Sequence, residues 1–233
     1  DSSSGALTIK YDSIGQETWW RSFNDLGDNS SKGMDIEVDD TGNVYILVDA
    51  NDIDGISDYV IVKYNSDGDT LWIARYDNAG QPDDPVGLAL DEIGNIYVTG
   101  ISYNGLEHRT DYATVKYDSN GYEKWVAIYD GLDNYTDEVA AIILDDSANV
   151  YVTGTSSGDY ATVKYNTNGE QQWVARYAGF GNYHDTQASS LTLDTKGSIY
   201  VTGKTVTNTI GKIATVKYDL NGNYVWDIIS CGD

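Results

Sequence analysis

Two short strings recur at a nearly constant spacing through this chain of 233 residues, and that repetition constrains the fold more than any other feature. The first string, Tyr-[Asp/Asn]-x-x-Gly-x-x-x-Trp, always follows a lysine and starts at Tyr11, Tyr64, Tyr117, Tyr165 and Tyr218. The second, Asp-x-x-[Gly/Ala]-[Asn/Ser]-[Val/Ile]-Tyr, starts at Asp39, Asp91, Asp145 and Asp194. Successive starts of the first string are 53, 53, 48 and 53 residues apart. These in-register matches identify a repeat protein.

Each string predicts a β-hairpin. Ala113, Val115 and Tyr117 alternate with Thr114 and Lys116, which is the period of a strand. The Asp-x-x-Gly segments predict tight turns, because Asp hydrogen-bonds the backbone ahead of it and Gly accepts a positive φ. One unit therefore contains four strands, A to D, with tight turns between A and B and between C and D. Longer and more variable segments connect B to C and D to the next A.

Four-stranded units of this length, with no helical stretch between them, predict an all-β fold, a β-propeller of antiparallel blades. We expect a single domain over residues 1–233, in which a five-bladed ring lacks the inner hairpin of one blade. The predicted parts are an N-terminal half-blade at 7–23 and four full blades at 33–76, 86–129, 139–177 and 188–229.

Three stretches carry a resemblance to a known family: Asp111-Tyr-Ala-Thr-Val-Lys-Tyr117, Gly94-Asn-Ile-Tyr-Val-Thr-Gly100 and Trp173-Val-Ala-Arg-Tyr177. They resemble units of the bacterial and archaeal β-propeller repeat family, over almost the entire chain. The resemblance implies a part of a secreted or cell-surface protein. It implies no reaction, because the family is defined by its blades.

The charge balance excludes some partners. Acidic residues outnumber basic ones 37 to 14, for a formal net charge of -23. We expect no nucleic-acid partner, because the field repels phosphates, and no membrane insertion, because no apolar run is long enough to span a bilayer. Acidity, the resemblance and the absence of a starting Met favour an extracellular or cell-surface location.

Residues that recur in every unit are expected to hold blades together. We therefore expect a ligand site among the residues that differ from one unit to the next. The B–C and D–A loops share one face of the predicted propeller, the loop face, which includes Asp83 and Asp84. On it, an aromatic ring beside an amide and a carboxylate has the chemistry of a sugar site. The candidate ligand-binding residues are Tyr103, Asn134, Tyr135, Asp137, Asn182, Tyr183 and Asp185.

The sequence offers candidates for three other kinds of site. No cofactor is required, although structural calcium is an alternative at residues 51–55 or at Asp83 and Asp84. Asn29 and Asn134 lie in N-glycosylation sequons. Asp35 and Glu37 replace smaller residues in strand A of the first full blade, and catalysis there is the least favoured reading.

We therefore expect a structural or adhesive extracellular module without enzymatic activity, with a carbohydrate-binding propeller as the alternative. A glycan-active enzyme ranks third. The expected partners are further copies of the chain, other surface proteins or glycans. The unmatched half-blade predicts a strand supplied by a continuation of the chain or by a neighbouring copy, and Cys231 lies beside that junction as a candidate interchain contact.

Overall fold

The computed structural model describes residues 5–24, 31–103, 105, 109–132, 136–179, 185–207 and 210–230, except for the side chain of Thr207. The elements assigned there are eighteen strands. They are β1 (Ala6–Tyr11), β2 (Glu17–Phe23), β3 (Lys32–Val38), β4 (Val44–Asn51), β5 (Ser57–Tyr64), β6 (Thr70–Tyr76), β7 (Asp83–Leu90), β8 (Ile96–Tyr103), β9 (Thr110–Tyr117), β10 (Glu123–Tyr129), β11 (Asp137–Leu144), β12 (Val150–Ser156), β13 (Asp159–Tyr165), β14 (Gln171–Tyr177), β15 (Gln187–Leu193), β16 (Ile199–Thr207), β17 (Ile210–Tyr218) and β18 (Tyr224–Ser230).

The strands form five antiparallel sheets, which confirms the predicted fold class. Four sheets have four strands each, in sequence order: β3 to β6, β7 to β10, β11 to β14 and β15 to β18. We call them blades 1 to 4. The fifth sheet is the pair β1–β2, the half-blade. Within the described residues no helix is long and apolar enough to cross a membrane.

The turns of the second string form as the sequence predicts. In the first copy, Asp39 Oδ1 accepts the backbone N–H groups of Thr41 and Asn43 at 3.0 and 2.9 Å. Gly42 closes the turn at a φ of 81°. Burial alone would raise the pKa of Asp39, but hydrogen bonds from Asn43, Thr41 and Tyr45 outweigh it and lower that pKa. The ionised aspartate therefore stabilises the hairpin.

Two inner strands begin earlier than the sequence indicates. β7 starts at Asp83 and β11 at Asp137, because Asp83 pairs with Ser102 and Asp137 with Ser156 at the end of each ladder. Asp83, Asp84 and Asp137 are therefore strand residues, and their assignment to exposed loops was wrong. Asp83 and Asp137 are both fully buried.

The core is divided into four hydrophobic clusters, one at each junction between consecutive sheets. At the start of strand C in blades 1, 2 and 3, Tyr59, Tyr112 and Tyr160 are fully buried against the next blade. Ile213 has that position in blade 4 and is 60% exposed. The described residues thus form an open arc, from the half-blade to blade 4.

Candidate functional site

A repeated contact joins the outer edges of neighbouring blades. Four of the five tryptophans that end the first string donate a hydrogen bond from the indole Nε1 to a backbone carbonyl in the C–D turn of the next blade. The four bonds are Trp19 to Ser66 (3.0 Å), Trp72 to Ser119 (3.1 Å), Trp125 to Thr167 (3.0 Å) and Trp173 to Leu220 (3.3 Å). We call this series the tryptophan ladder.

The lysines that precede the first string contact the same turns as the tryptophan ladder. Lys10 and Lys63 donate to the carbonyls of Ser66 and Ser119, as their neighbouring tryptophans do. Lys63 Nζ also lies 4.8 Å from the ring centroid of Tyr45. For both ammonium groups the hydrogen-bond acceptor is therefore a turn carbonyl of the next blade.

Both ends of the ladder are open. By register, Trp226 is the next donor and the turn at residues 12–15 is the next acceptor. Among the described residues Trp226 Nε1 has no hydrogen bond, and Lys217 turns back to its own blade, to Tyr200 at 2.7 Å and Asp194 at 3.6 Å. At the four occupied glycines a Cβ would lie 2.6–2.9 Å from a tryptophan ring atom, but at Gly15 nothing lies within 4 Å. One chain therefore carries an unused donor and an unused acceptor of the same contact.

The candidate catalytic pair lies on β3, at the inner edge of blade 1. Asp35 Oδ2 accepts the backbone N–H of Leu88 in blade 2 at 2.9 Å, and its Oδ1 accepts the N–H of Ile36 at 2.8 Å. Glu37 lines an adjacent cavity of about 600 Å³. Burial, and then the charge of Asp35, raise the pKa of Glu37. Both oxygens of Asp35 serve the backbone, so that carboxylate holds two inner strands together.

The predicted sugar-binding residues are only partly described. Tyr103 is half-buried at the end of β8, and Asp137 is buried, where a soluble sugar has no access to it. Asp185 is exposed and forms an ion pair of 3.5 Å with Lys204. Asn134, Tyr135, Asn182 and Tyr183 lie outside the described residues, as do the sequon residue Asn29 and the candidate contact Cys231. The residues of this set that are described do not come together in one site.

The calcium hypothesis is altered by the positions of the aspartates. At residues 51–55, Asp52 Oδ1 accepts the N–H groups of Asp54 and Ile56 at 2.8 and 2.9 Å. The acidic residues there are therefore spaced as a hydrogen-bonded turn requires. Asp83 and Asp84 follow one another in a strand, so they face opposite sides of the sheet. The structure instead groups aspartates that are far apart in sequence.

Two such groups lie at equivalent junctions. The first cluster is Asp58, Asp77 and Asp83, between blades 1 and 2, and the second cluster is Asp111, Asp130 and Asp137, between blades 2 and 3. In each, one carboxylate oxygen per residue lies within 4.8 Å of the other two, and the middle residue is exposed while the outer two are buried.

The two clusters differ at two neighbouring positions, which carry an arginine and an asparagine in the first cluster only. In the first, Arg75 forms an ion pair with Asp58, and the Asn78 side chain donates to Ser102 at 3.0 Å. The second cluster has Ile128 and Gly131 at those two positions. The signal of both clusters in the sequence is the 53-residue spacing of Asp58 and Asp111 and of Asp77 and Asp130.

The architecture and its repeated junctions define a β-propeller. Residues 172–208 match the model of the beta-propeller repeat family (SBBP), which confirms the resemblance drawn from the sequence. Among curated proteins, no sequence matches the chain significantly.

Solved structures share the architecture at low sequence identity. A protein of unknown function from Bacteroides caccae is 14% identical with a TM-score of 0.55, over 98% of this chain and 76% of that one. The α-L-arabinanase of Penicillium chrysogenum, solved with arabinobiose, is 9% identical with a TM-score of 0.53, over 84% of this chain and 65% of that one. At these identities the likeness shows the fold alone.

Proposed function

We propose that this chain is a structural β-propeller module of the cell surface, without enzymatic activity, that associates head to tail with further copies of itself. The observation that carries the proposal is the tryptophan ladder. It joins consecutive sheets four times and leaves Trp226 and the turn at Gly15 unused at its two ends.

The exposed surface at the end of the arc supports a protein partner. Ile213 and Ile228 of blade 4 are 60% and 62% exposed. Equivalent surfaces of the other blades are covered by the next blade, so a second copy would bury the same kind of surface. The contact uses different patches on the two partners, and such heterologous contacts build rings or filaments.

The particle mass as a function of concentration tests association. We expect the wild-type chain to form dimers or larger particles in multi-angle light scattering, and Trp226→Ala to shift them to monomer. Trp20→Ala is the control, because Trp20 belongs to neither repeated string and is 55% exposed. A wild-type chain that stays monomeric at high concentration would overturn the proposal.

A variant at the other end tests the direction of the contact. Gly15→Asn adds a side chain where the isolated chain has open space, and asparagine tolerates the left-handed backbone of the φ of 80°. We expect Gly15→Asn to remain folded and monomeric, while Gly55→Asn, at a φ of 81° with equally open surroundings, associates as the wild type does. A mixture of Trp226→Ala and Gly15→Asn should form heterodimers and nothing larger, because each retains one working end.

The proposed lack of enzymatic activity and the proposed location have separate tests. We expect no cleavage across a polysaccharide panel; turnover that disappears in Glu37→Gln would show a glycan-active enzyme instead. We expect antibodies to label intact cells of the source organism; labelling only after permeabilisation would contradict a surface location.

Binding on a glycan array that is lost in Tyr135→Ala and Tyr183→Ala would establish the lectin-like alternative.

A further inference from the structure

The second cluster combines three acidic side chains with an orphaned buried oxygen. Asp137 is fully buried, and its Oδ1 accepts no hydrogen bond from the described residues. Its Oδ2 accepts the backbone N–H of Gly131 at 2.7 Å. A buried carboxylate oxygen without a donor costs free energy unless a ligand satisfies it.

Arg176, which packs at the same junction, donates its hydrogen bonds to other groups. Arg176 donates to the Oγ and backbone carbonyl of Ser156, to the hydroxyl of Tyr129 and to Asp159 at 3.4 Å. Among the described residues no lysine or arginine forms an ion pair with Asp130 or Asp137. In the first cluster, by contrast, Arg75 is in direct contact with Asp58.

Gly131 allows the backbone to approach Ser156 and Asp137 closely. A Cβ on Gly131 would lie 2.0 Å from Ser156 Oγ and 2.8 Å from Asp137 Oδ1, so no larger residue fits without a shift. The first cluster fills the equivalent position with Asn78. At these two positions the second cluster has neither the arginine nor the amide side chain of its counterpart.

We propose that Asp111, Asp130 and Asp137 bind one Ca²⁺ ion between blades 2 and 3. Oxygens within 4.8 Å of one another can all reach an ion at the Ca²⁺–oxygen distance of about 2.3–2.6 Å. Three carboxylates supply three to six of the six to eight oxygens that Ca²⁺ takes, and water can supply the rest on the exposed side of Asp130. Such an ion would satisfy Asp137 Oδ1 and offset the mutual repulsion of the three carboxylates.

The pKa of Asp137 and the positions of the ligands agree with this assignment. Burial raises the pKa of Asp137, and the charges of Asp111 and Asp130 add to the effect, while hydrogen bonds from Ser156 and Gly131 offset part of it. The ligands come from two blades, because Asp111 is the second residue of β9 in blade 2 and Asp137 is the first residue of β11 in blade 3. Ca²⁺ would therefore connect the two blades at the loop face.

Calorimetric titration of the metal-free chain with Ca²⁺ tests the site, and the equivalent aspartates provide matched variants. We expect one ion per chain, with Asp130→Asn weakening binding at least tenfold and Asp77→Asn, at the equivalent exposed position of the first cluster, leaving it unchanged. Ile128→Arg, which installs the arginine of blade 1, should also weaken binding at least tenfold. A rise in Tm with Ca²⁺ should follow the same order.

Three results would overturn the proposal. They are a wild-type chain that binds no Ca²⁺ at millimolar concentration, an Asp130→Asn variant that binds as tightly as the wild type, and an Asp77→Asn variant that loses binding to the same extent. Far-UV circular dichroism of every variant shows whether a loss of binding comes from a loss of fold. The measurement is independent of association, because monomeric Gly15→Asn should bind Ca²⁺ with unchanged affinity.

Discussion

The indole ring of Trp72 lies against the backbone of Gly121 in the next blade, so closely that a Cβ on Gly121 would be 2.9 Å from the ring atom Cδ2. Gly121 also has a φ of 83°, which L-residues with side chains rarely adopt. One glycine thus meets two requirements, the turn of its own hairpin and the close approach of the neighbouring blade.

Separate substitutions can measure these two requirements. Gly55→Ala has the same backbone strain with nothing within 4 Å, and we expect it to cost about 1 kcal/mol. Gly121→Ala should cost about 2–4 kcal/mol, because the added methyl group must also displace Trp72. Urea unfolding of both variants gives the difference, and equal costs would show that the Trp72 contact adapts without penalty.

The hydroxyl of the strand B tyrosine should stabilise its hairpin. Tyr97 donates to Asp91 Oδ2 at 3.2 Å, and its ring is fully buried. We expect Tyr97→Phe to lower the free energy of unfolding by about 1–2 kcal/mol, because it removes a hydrogen bond to a charged acceptor while leaving the ring in place. Tyr122→Phe, on a 70% exposed side chain, is the control and should be neutral within about 0.5 kcal/mol.

The buried ion pair in the first cluster should be strongly coupled. Arg75 contacts Asp58, which is 1% exposed. We expect Arg75→Met to cost about 3 kcal/mol, because it leaves a buried carboxylate without its cation. The double variant Arg75→Met/Asp58→Asn should recover at least half of that loss, as measured by a double-mutant cycle. Additive losses would mean that the pair contributes through packing alone.

Asp83 should make stability depend on pH below neutrality. Burial, with Asp77 and Asp84 as lesser contributors, raises the pKa of Asp83 from 3.8 to about 6, against hydrogen bonds from Ser102 and Asn78. The folded chain therefore binds a proton more tightly than the unfolded one. This contribution is fully present below pH 3.8 and is lost as the pH rises through about 6.

Removing the charge should remove this dependence. Relative to the wild type, Asp83→Asn should gain up to about 3 kcal/mol in the free energy of unfolding between pH 4 and pH 7, and its oxygen can still accept the Asn78 N–H. Chemical unfolding in EDTA at several pH values provides the measurement. The exposed Asp54→Asn is the control, and a constant difference between Asp83→Asn and the wild type across the range would contradict the expectation.

The sequence predicted the features that depend on short-range chemistry. The Asp39 turn, the hairpins and the register of Trp72 all follow from spacing within one unit and from its repetition. It did not predict the burial of Asp83 and Asp137, because an Asp after a loop-like segment is usually solvated, and the strand extension that buries it depends on Ser102 and Ser156 across the ladder.

The contacts between units also lay beyond sequence reasoning. Lys63 reaches the carbonyl of Ser119, and a carbonyl leaves no residue-type signal in the sequence. The proposal that Trp226 pairs with an acceptor outside its own blade follows from the repeat only once the geometry of the four tryptophans in the ladder is known.

The division of the interior into four junction clusters affects how the molecule unfolds. In a closed ring each blade has two neighbours, so releasing any blade disrupts two junctions; at the free end of an arc it disrupts only one. The half-blade and blade 4 are therefore the units from which thermal or mechanical unfolding should start, and their amides should exchange with solvent before those of blade 2. A partner that covers Ile213 and Trp226 would make blade 4 an interior unit, so assembly alone would slow the unfolding of every blade behind it.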